Sequence, residues 1–297
     1  MHTSNKRTGK QVGLAALNLL FVLLILFGTQ FVIRGRINNA AGLAILSVLV
    51  FAAYLVGYRF IEQRRPPELA GLSSLKELLG GITLGVGLFS AVIAVLSLLR
   101  VYQLQGRGTT AGLGTGALAA LFAATVEETL IRAFLFRIVQ VLGGTWIAIL
   151  ISSAFFGAAH AFNPAATVTS SVAIALEAGV LLAAAYVLSG RLWFPIGLHA
   201  GWNFSEGSLY GLSVSGFTSK QALTQGSLKG PAILTGGAFG PEGSIVAVVL
   251  CFSVAILLLW RAAKAGRIQP PLWSRANSAT SPPGSAVTEA PVQPNQF

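Results

Sequence analysis

The stretch Glu127-Glu128-Thr129-Leu130-Ile131-Arg132 sets two acids and an arginine inside a run that is otherwise apolar from Leu118 to Val139. Near the centre of a bilayer each such charge costs roughly 2.5–3.5 kcal/mol, whereas each Leu, Ile, Phe or Val contributes only about 0.3–0.6. Eleven of those apolar residues lie in the run. Together they offset about 3–6 kcal/mol of the roughly 8–10 that three unpaired charges cost. The helix is tolerable only if its charges face partners inside a bundle, and ionisable residues so placed read as a site. Glu128 and Arg132 are four apart, share a helix face and are expected to pair. Glu127 lies about 100° round the helix from Glu128, which leaves it the acid free for chemistry.

Composition agrees with a membrane setting. Of 297 residues 54% are hydrophobic and 10% charged, with mean hydropathy +0.73, whereas a soluble domain carries about 25% charged residues. The net charge of +11 does not point to nucleic acid, because the basic residues sit in loops and tails between apolar runs, as the positive-inside rule describes. Cys251 is alone, so there is no disulfide framework. All nine acids are glutamates, which excludes an intramembrane aspartyl protease, since that needs two aspartates.

The expected fold is all-α, a polytopic bundle of about eight transmembrane helices over residues 12–33, 40–58, 80–99, 118–139, 145–162, 167–188, 192–210 and 244–260. The first run is too long for the core of a secretory signal, about 7–15 residues. Residues 1–11 form an N-terminal segment and 12–115 hold helices one to three. A catalytic core spans 116–212, a loop 213–243, the eighth helix 244–263 and a disordered Pro/Ser-rich tail 264–297. The loop reads as a linker, with a lid as the alternative. Leucines 69, 72, 75, 78 and 79 after Pro66-Pro67 suggest a short interfacial helix or a packed connector. Gly81 and Gly85 are spaced for close helix packing. Arg137 is expected to snorkel to the interface. Lys and Arg number thirteen on the side of both termini and six on the other. Both termini are therefore expected in the cytoplasm, the protein being a multi-pass component of a bacterial inner membrane. No internal repeat of the transporter kind is visible.

Two histidines join the acids within the apolar spans: His160 in Phe156-Gly157-Ala158-Ala159-His160, and His199 in His199-Ala200-Gly201-Trp202-Asn203. Phe156 lies one turn from His160 and can pack on its ring. His199 and Asn203 share a face, and Gly197 and Gly201 let a neighbouring helix come close. Counting at 1.5 Å per residue, three spans bring a carboxylate, two imidazoles and an amide into one band of the membrane. A carboxylate in a dry cavity can take a proton from water near neutral pH. One histidine can hold the same water, and His199 with Asn203 suits the oxyanion of a tetrahedral intermediate. That is the equipment of a peptidase or amidase.

Glu-Glu-x-x-x-Arg, Phe-x-x-x-His and His-x-x-x-Asn, in that order on separate spans, resemble the type II CAAX prenyl protease family. It belongs to the wider CPBP group of glutamate-dependent intramembrane proteases with bacteriocin-processing and immunity members. The similar region covers about residues 116–210. The resemblance implies that Glu127 activates water with His160, that His199 and Asn203 stabilise the oxyanion, and that Glu128, Arg132 and Phe156 support them. It implies as partners the lipid bilayer and a membrane-associated or lipidated protein substrate, without nucleic acid.

Other readings remain open at this point. Glu127, His160 and His199 could supply a His₂Glu zinc site, although the His-Glu-x-x-His signature is absent, so the cofactor is none or Zn²⁺. A serine protease would need Gly211-Leu212-Ser213, which lies at a helix end. The acids could instead be relay groups of a transporter, or the bundle a non-catalytic immunity protein. Individually, His160 and His199 admit a role as satisfied core histidines and Asn203 one as helix glue. Glu177 could be structural or face a substrate cavity, and Glu206 reads as a solvated rim residue.

Overall fold

A computed structural model of the chain describes residues 2–33, 39–69, 73–218 and 221–274. Helices dominate it: α1 (His2–Ile33), α2 (Asn39–Phe60), α3 (Ser74–Leu98), α4 (Leu113–Glu128), α5 (Arg137–His160), α6 (Val168–Ile174), α7 (Val180–Ser189), α8 (Trp193–Phe204), the short α9 (Ala232–Thr235) and α10 (Ile245–Lys264). Three π-helical segments interrupt the rods. Thr129–Phe136 joins α4 to α5, Ala175–Gly179 joins α6 to α7, and Ser205–Leu209 continues α8. A π turn carries one extra residue and so shifts the face presented beyond it. Each of the three contains or directly follows a buried glutamate: Glu128, Glu177 and Glu206.

The run from Leu113 to His160 is 48 residues long. As a straight helix it would measure about 72 Å, more than twice the roughly 30 Å hydrocarbon core of a bilayer. It breaks at Gly144, whose φ of 78° and ψ of 178° are non-helical. Glu127 and His160 would stand about 50 Å apart on a straight rod, yet their side chains approach within 3.9 Å. The run is therefore a hairpin folded at Gly144. Among the described residues five helices are long and apolar enough to cross a membrane, this hairpin, which covers two of the eight expected spans, counting as one of them; α2 adds a shorter apolar stretch, Ala44–Phe60. The chain is a predominantly helical integral membrane protein.

α8 lies between α3 and α4, and glycines set how close it comes. A Cβ on Gly81 would sit 2.3 Å from the Phe194 carbonyl oxygen, and one on Gly85 2.2 Å from that of Leu198. From the other helix, a Cβ on Gly197 would sit 2.1 Å from Leu78 O and one on Gly201 2.4 Å from Ile82 O. Backbone thus touches backbone on one face of α8, while His199 projects from another face towards Glu127 and Glu128. Gly201→Leu is expected to force α3 and α8 apart and to destabilise the protein by about 3 kcal/mol, the upper range for overpacking. Thermal unfolding in detergent measures this, and an unchanged melting temperature would contradict the packing.

Several local expectations change. The leucines at 75, 78 and 79 belong to α3, which begins at Ser74 and not at residue 80; Leu72 lies outside the described residues. No separate interfacial helix precedes it among the described residues, only the single turn Pro67–Leu69. Its buried Glu68 accepts hydrogen bonds from the Tyr54 and Tyr58 hydroxyls at 2.5 and 2.6 Å. Arg137 does not snorkel to open water. It forms a two-pronged pair with Glu62 at 2.9 Å on each side and stacks on Tyr58, 4.9 Å from the ring centre. Burial alone would raise the Glu62 carboxyl pKa. Arg137, Asn18 and Arg64 outweigh it and hold the pKa below the ordinary glutamate value. The pair's contribution is thus complete above that ordinary value and is lost as pH falls through the lowered one.

Segments read as loops pair into a two-stranded antiparallel ribbon, β1 (Tyr102–Arg107) with β2 (Thr224–Leu228), bulged between Leu104 and Gly106. The tail expected to be disordered from residue 264 stays docked at first. Thr145 N donates to Gln269 O at 2.9 Å, and Gln269 N donates to Thr145 Oγ1 at 2.8 Å. That strand of backbone occupies the space a side chain on Gly144 would need. Residues 275–297 of the expected tail lie outside the described residues.

Candidate active site

The end of α4 presents its two acids to different surroundings. Glu128 is fully buried, and its Oε1 accepts from Arg132 NH1 at 3.1 Å and from His199 Nδ1 at 3.1 Å. Arg132 is also without exposure. Its NH2 donates to the Gly179 carbonyl at 3.1 Å, an acceptor at the end of a π segment, and its guanidinium lies 4.9 Å over the Phe156 ring. The expected Glu128–Arg132 pair therefore exists and has a third member, His199. Glu127 points elsewhere. Its side chain is a third exposed, and its Oε2 is shielded from solvent without a hydrogen-bond partner.

Phe156 organises both imidazoles. It stacks on His160, with ring centres 4.6 Å apart, and meets His199 edge-on at 6.0 Å. His160 Nδ1 is 2.8 Å from the Phe156 carbonyl oxygen. A carbonyl only accepts, so Nδ1 carries the proton and neutral His160 has its lone pair on Nε2. By the same reasoning Nδ1 of His199 donates to the Glu128 carboxylate, and its Nε2 also turns to the cavity. Both Nε2 atoms lie 3.9 Å from the one oxygen, Glu127 Oε2. That is too long for direct hydrogen bonds and close enough for one water molecule to reach all three.

Asn203 follows His199 by one turn of α8. It lines, together with Glu127, His160 and His199, a cavity of roughly 640 Å³. The remaining wall is mostly apolar, with Ala119, Ala123 and Leu130 on one side and Phe155 and Ala159 on the other. Val214, Ser215, Phe217 and Thr218 close it from the long loop after α8, so this loop is part of the cavity and not only a connector. All seven residues singled out in the sequence gather at this place.

A zinc ion bound at 2.0–2.1 Å in tetrahedral geometry keeps its ligand atoms about 3.3 Å apart. The 3.9 Å separations here are wider, and among the described residues no group of three His, Cys, Asp or Glu is arranged to hold a metal. The donor set is of the right type for zinc, but its spacing does not fit.

Behind the histidines is a second chamber of about 20 Å³, bordered by His160, His199, Asn203, Glu177, Trp202, Ser215 and Glu242, room for one water. Glu177 is buried, with Oε1 unpartnered, and faces this chamber. Glu206, expected at a solvated rim, has no exposure at all, because the long loop folds back over it. Glu242, buried in that loop, is the residue sequence reading missed. Its one signal was an acid set between Pro241 and Gly243 just before an apolar helix.

The model of the Rce1-like family, type II CAAX prenyl endopeptidase Rce1-like, matches residues 109–205. The match covers about a third of the chain and includes every residue of the three motifs, so the likeness to that protease family is shown for this stretch. No curated protein and no solved structure matched the chain.

Proposed function

We propose that this chain, Rce1-like over residues 109–205, is an intramembrane endopeptidase that hydrolyses a peptide bond of a membrane-associated or lipidated protein. The observation that carries the reading is the single Glu127 oxygen, shielded and unpartnered, equidistant from the Nε2 atoms of two imidazoles on other helices. Water held there donates one hydrogen to Glu127 and the other to His160 Nε2. As the water oxygen bonds to the peptide carbonyl carbon, Glu127 takes its proton. The carbonyl oxygen becomes an oxyanion, and Asn203 Nδ2–H and His199 Nε2–H are the donors on hand. His199 does this with protons on both nitrogens, and Glu128 supplies the counter-charge against Nδ1. When the C–N bond breaks, Glu127 passes its proton to the leaving amine. Both termini are proposed to lie in the cytoplasm, a reading supported by the excess of basic residues on their side when eight crossings are counted.

The test is a comparison of membrane-protein termini in cells carrying the wild-type protein or Glu127→Gln. The expected result is a set of new termini made only by the wild type. Identical termini in both would leave the relay or carrier reading of the acids, to be sought as altered ion or solute flux.

In this reading Glu127 and His160 activate the water without a metal. Zinc held by Glu127, His160 and His199 is the second reading, favoured by the type of donors alone. Protein treated with a chelator until elemental analysis finds no zinc is expected to keep its full activity. Activity lost on chelation and restored by zinc would contradict this.

A further inference from the structure

We propose that Glu242 is a positioning residue, which clamps the turn closing the cavity onto the catalytic helix α8. The proposal rests on the hydrolase reading only in taking that cavity as the place where substrate binds.

Glu242 sits in a single turn, Pro241–Gly243, between the long loop and α10, and is 2% exposed. Its Oε1 accepts from Trp202 Nε1–H at 3.1 Å. Its Oε2 accepts from the Ser215 backbone N–H at 2.8 Å and from the Ser215 hydroxyl at 2.7 Å. One carboxylate thus joins two elements. Trp202 precedes Asn203 on α8, and Ser215 lies in the Val214–Phe217 turn whose residues border the cavity opposite Glu127.

Val214 and Phe217 close the turn through two backbone hydrogen bonds, of 2.9 and 2.8 Å, but these do not fix where it sits. Ser215 has φ 47° and Gly216 φ 86°, and a left-handed non-glycine residue persists only where its surroundings impose it. Besides Glu242, the ties here are Asn163 Nδ2, which donates to Ser215 O at 3.1 Å, and Gly216 N, which donates to Phe239 O at 2.7 Å. Among the described residues, the side-chain hydrogen bonds that link the turn to α8 run through Glu242. Glu206, one helical turn beyond Trp202, is fully buried. Its carboxyl lies beside Glu242, so the two acids pack together under the turn.

The test reads the turn directly. Cys251 is the sole cysteine and is buried, so Val214→Cys adds one half-buried thiol on the turn. Its reaction with a maleimide is followed in the full-length protein in detergent, with the chain lacking Val214→Cys as background and Leu104→Cys in the ribbon as control. Adding Glu242→Ala is expected to speed labelling at position 214 about tenfold and leave position 104 unchanged. Glu242→Gln, which keeps one acceptor oxygen, is expected to fall between. If Glu242→Ala does not fold, Ser215→Ala removes one of the three donors and is expected to speed labelling two- to threefold. Unchanged labelling at 214 in a folded variant, or an equal rise at both positions, overturns the clamp. With a cleavable substrate, Glu242→Ala is expected to raise KM more than it lowers kcat, and Glu242→Gln to recover part of the KM; a fall confined to kcat overturns the positioning role. Faster labelling in a protein that cleaves nothing would leave the clamp standing and sink the hydrolase reading instead.

Discussion

Glu127→Gln is expected to slow peptide hydrolysis by about 10²–10⁴-fold, the usual worth of a positioned general base, while the melting temperature stays where it was. The amide has the shape of the carboxyl and can still touch water, but it cannot accept a proton. Stability is spared because Glu127 is a third exposed and makes no ion pair with lysine or arginine among the described residues. His160→Ala is expected to cost a similar factor, since His160 Nε2 shares the same water. The double variant should be little slower than either single one, as groups that act as a unit are strongly non-additive. Initial rates for the four proteins on one substrate check this. Independent, multiplying losses would show that the two side chains do not serve one water.

The second large effect separates folding from chemistry. Glu128→Leu leaves Arg132 charged, with no exposure and with its ion-pair partner gone, and is expected to destabilise the protein by about 3–5 kcal/mol. Combining it with Arg132→Met removes both charges and is expected to recover most of that loss, because paired buried ions can often be replaced by packed apolar groups at little cost. Activity should not return. His199 Nδ1 donates to the same Glu128 oxygen, so the double variant has lost the group that orients its ring and balances its charge. Denaturation midpoints and cleavage rates measured on the same preparations decide it. Activity returning with stability would show that Glu128 serves only the fold.

What could be read from sequence was what depends on neighbours along the chain. The Glu128–Arg132 pair follows from a four-residue spacing, and the close approach of α3 and α8 from Gly81, Gly85, Gly197 and Gly201. The likeness to a membrane protease family follows from three short motifs. What could not be read depends on residues brought together from far away. β1 and β2 pair across more than a hundred residues, and neither is apolar enough to announce a strand. Glu206 has a polar reading on α8, and only the return of the 213–243 loop buries it. Arg137 finds Glu62 across 75 positions, where a helix end alone suggests a side chain reaching for water. Apolar runs can be counted along the chain, whereas among the described residues five helices qualify by length and composition, two of the expected runs being joined in the single stretch Leu113–His160.

The most direct measurement is an experimental structure of the protein in a lipid nanodisc, at a resolution that shows ordered solvent. The expected result is one water within about 3.2 Å of Glu127 Oε2 and of Nε2 on both His160 and His199. A metal ion about 2.1 Å from those atoms, or a Glu127 carboxylate turned towards lipid and away from both rings, would contradict it.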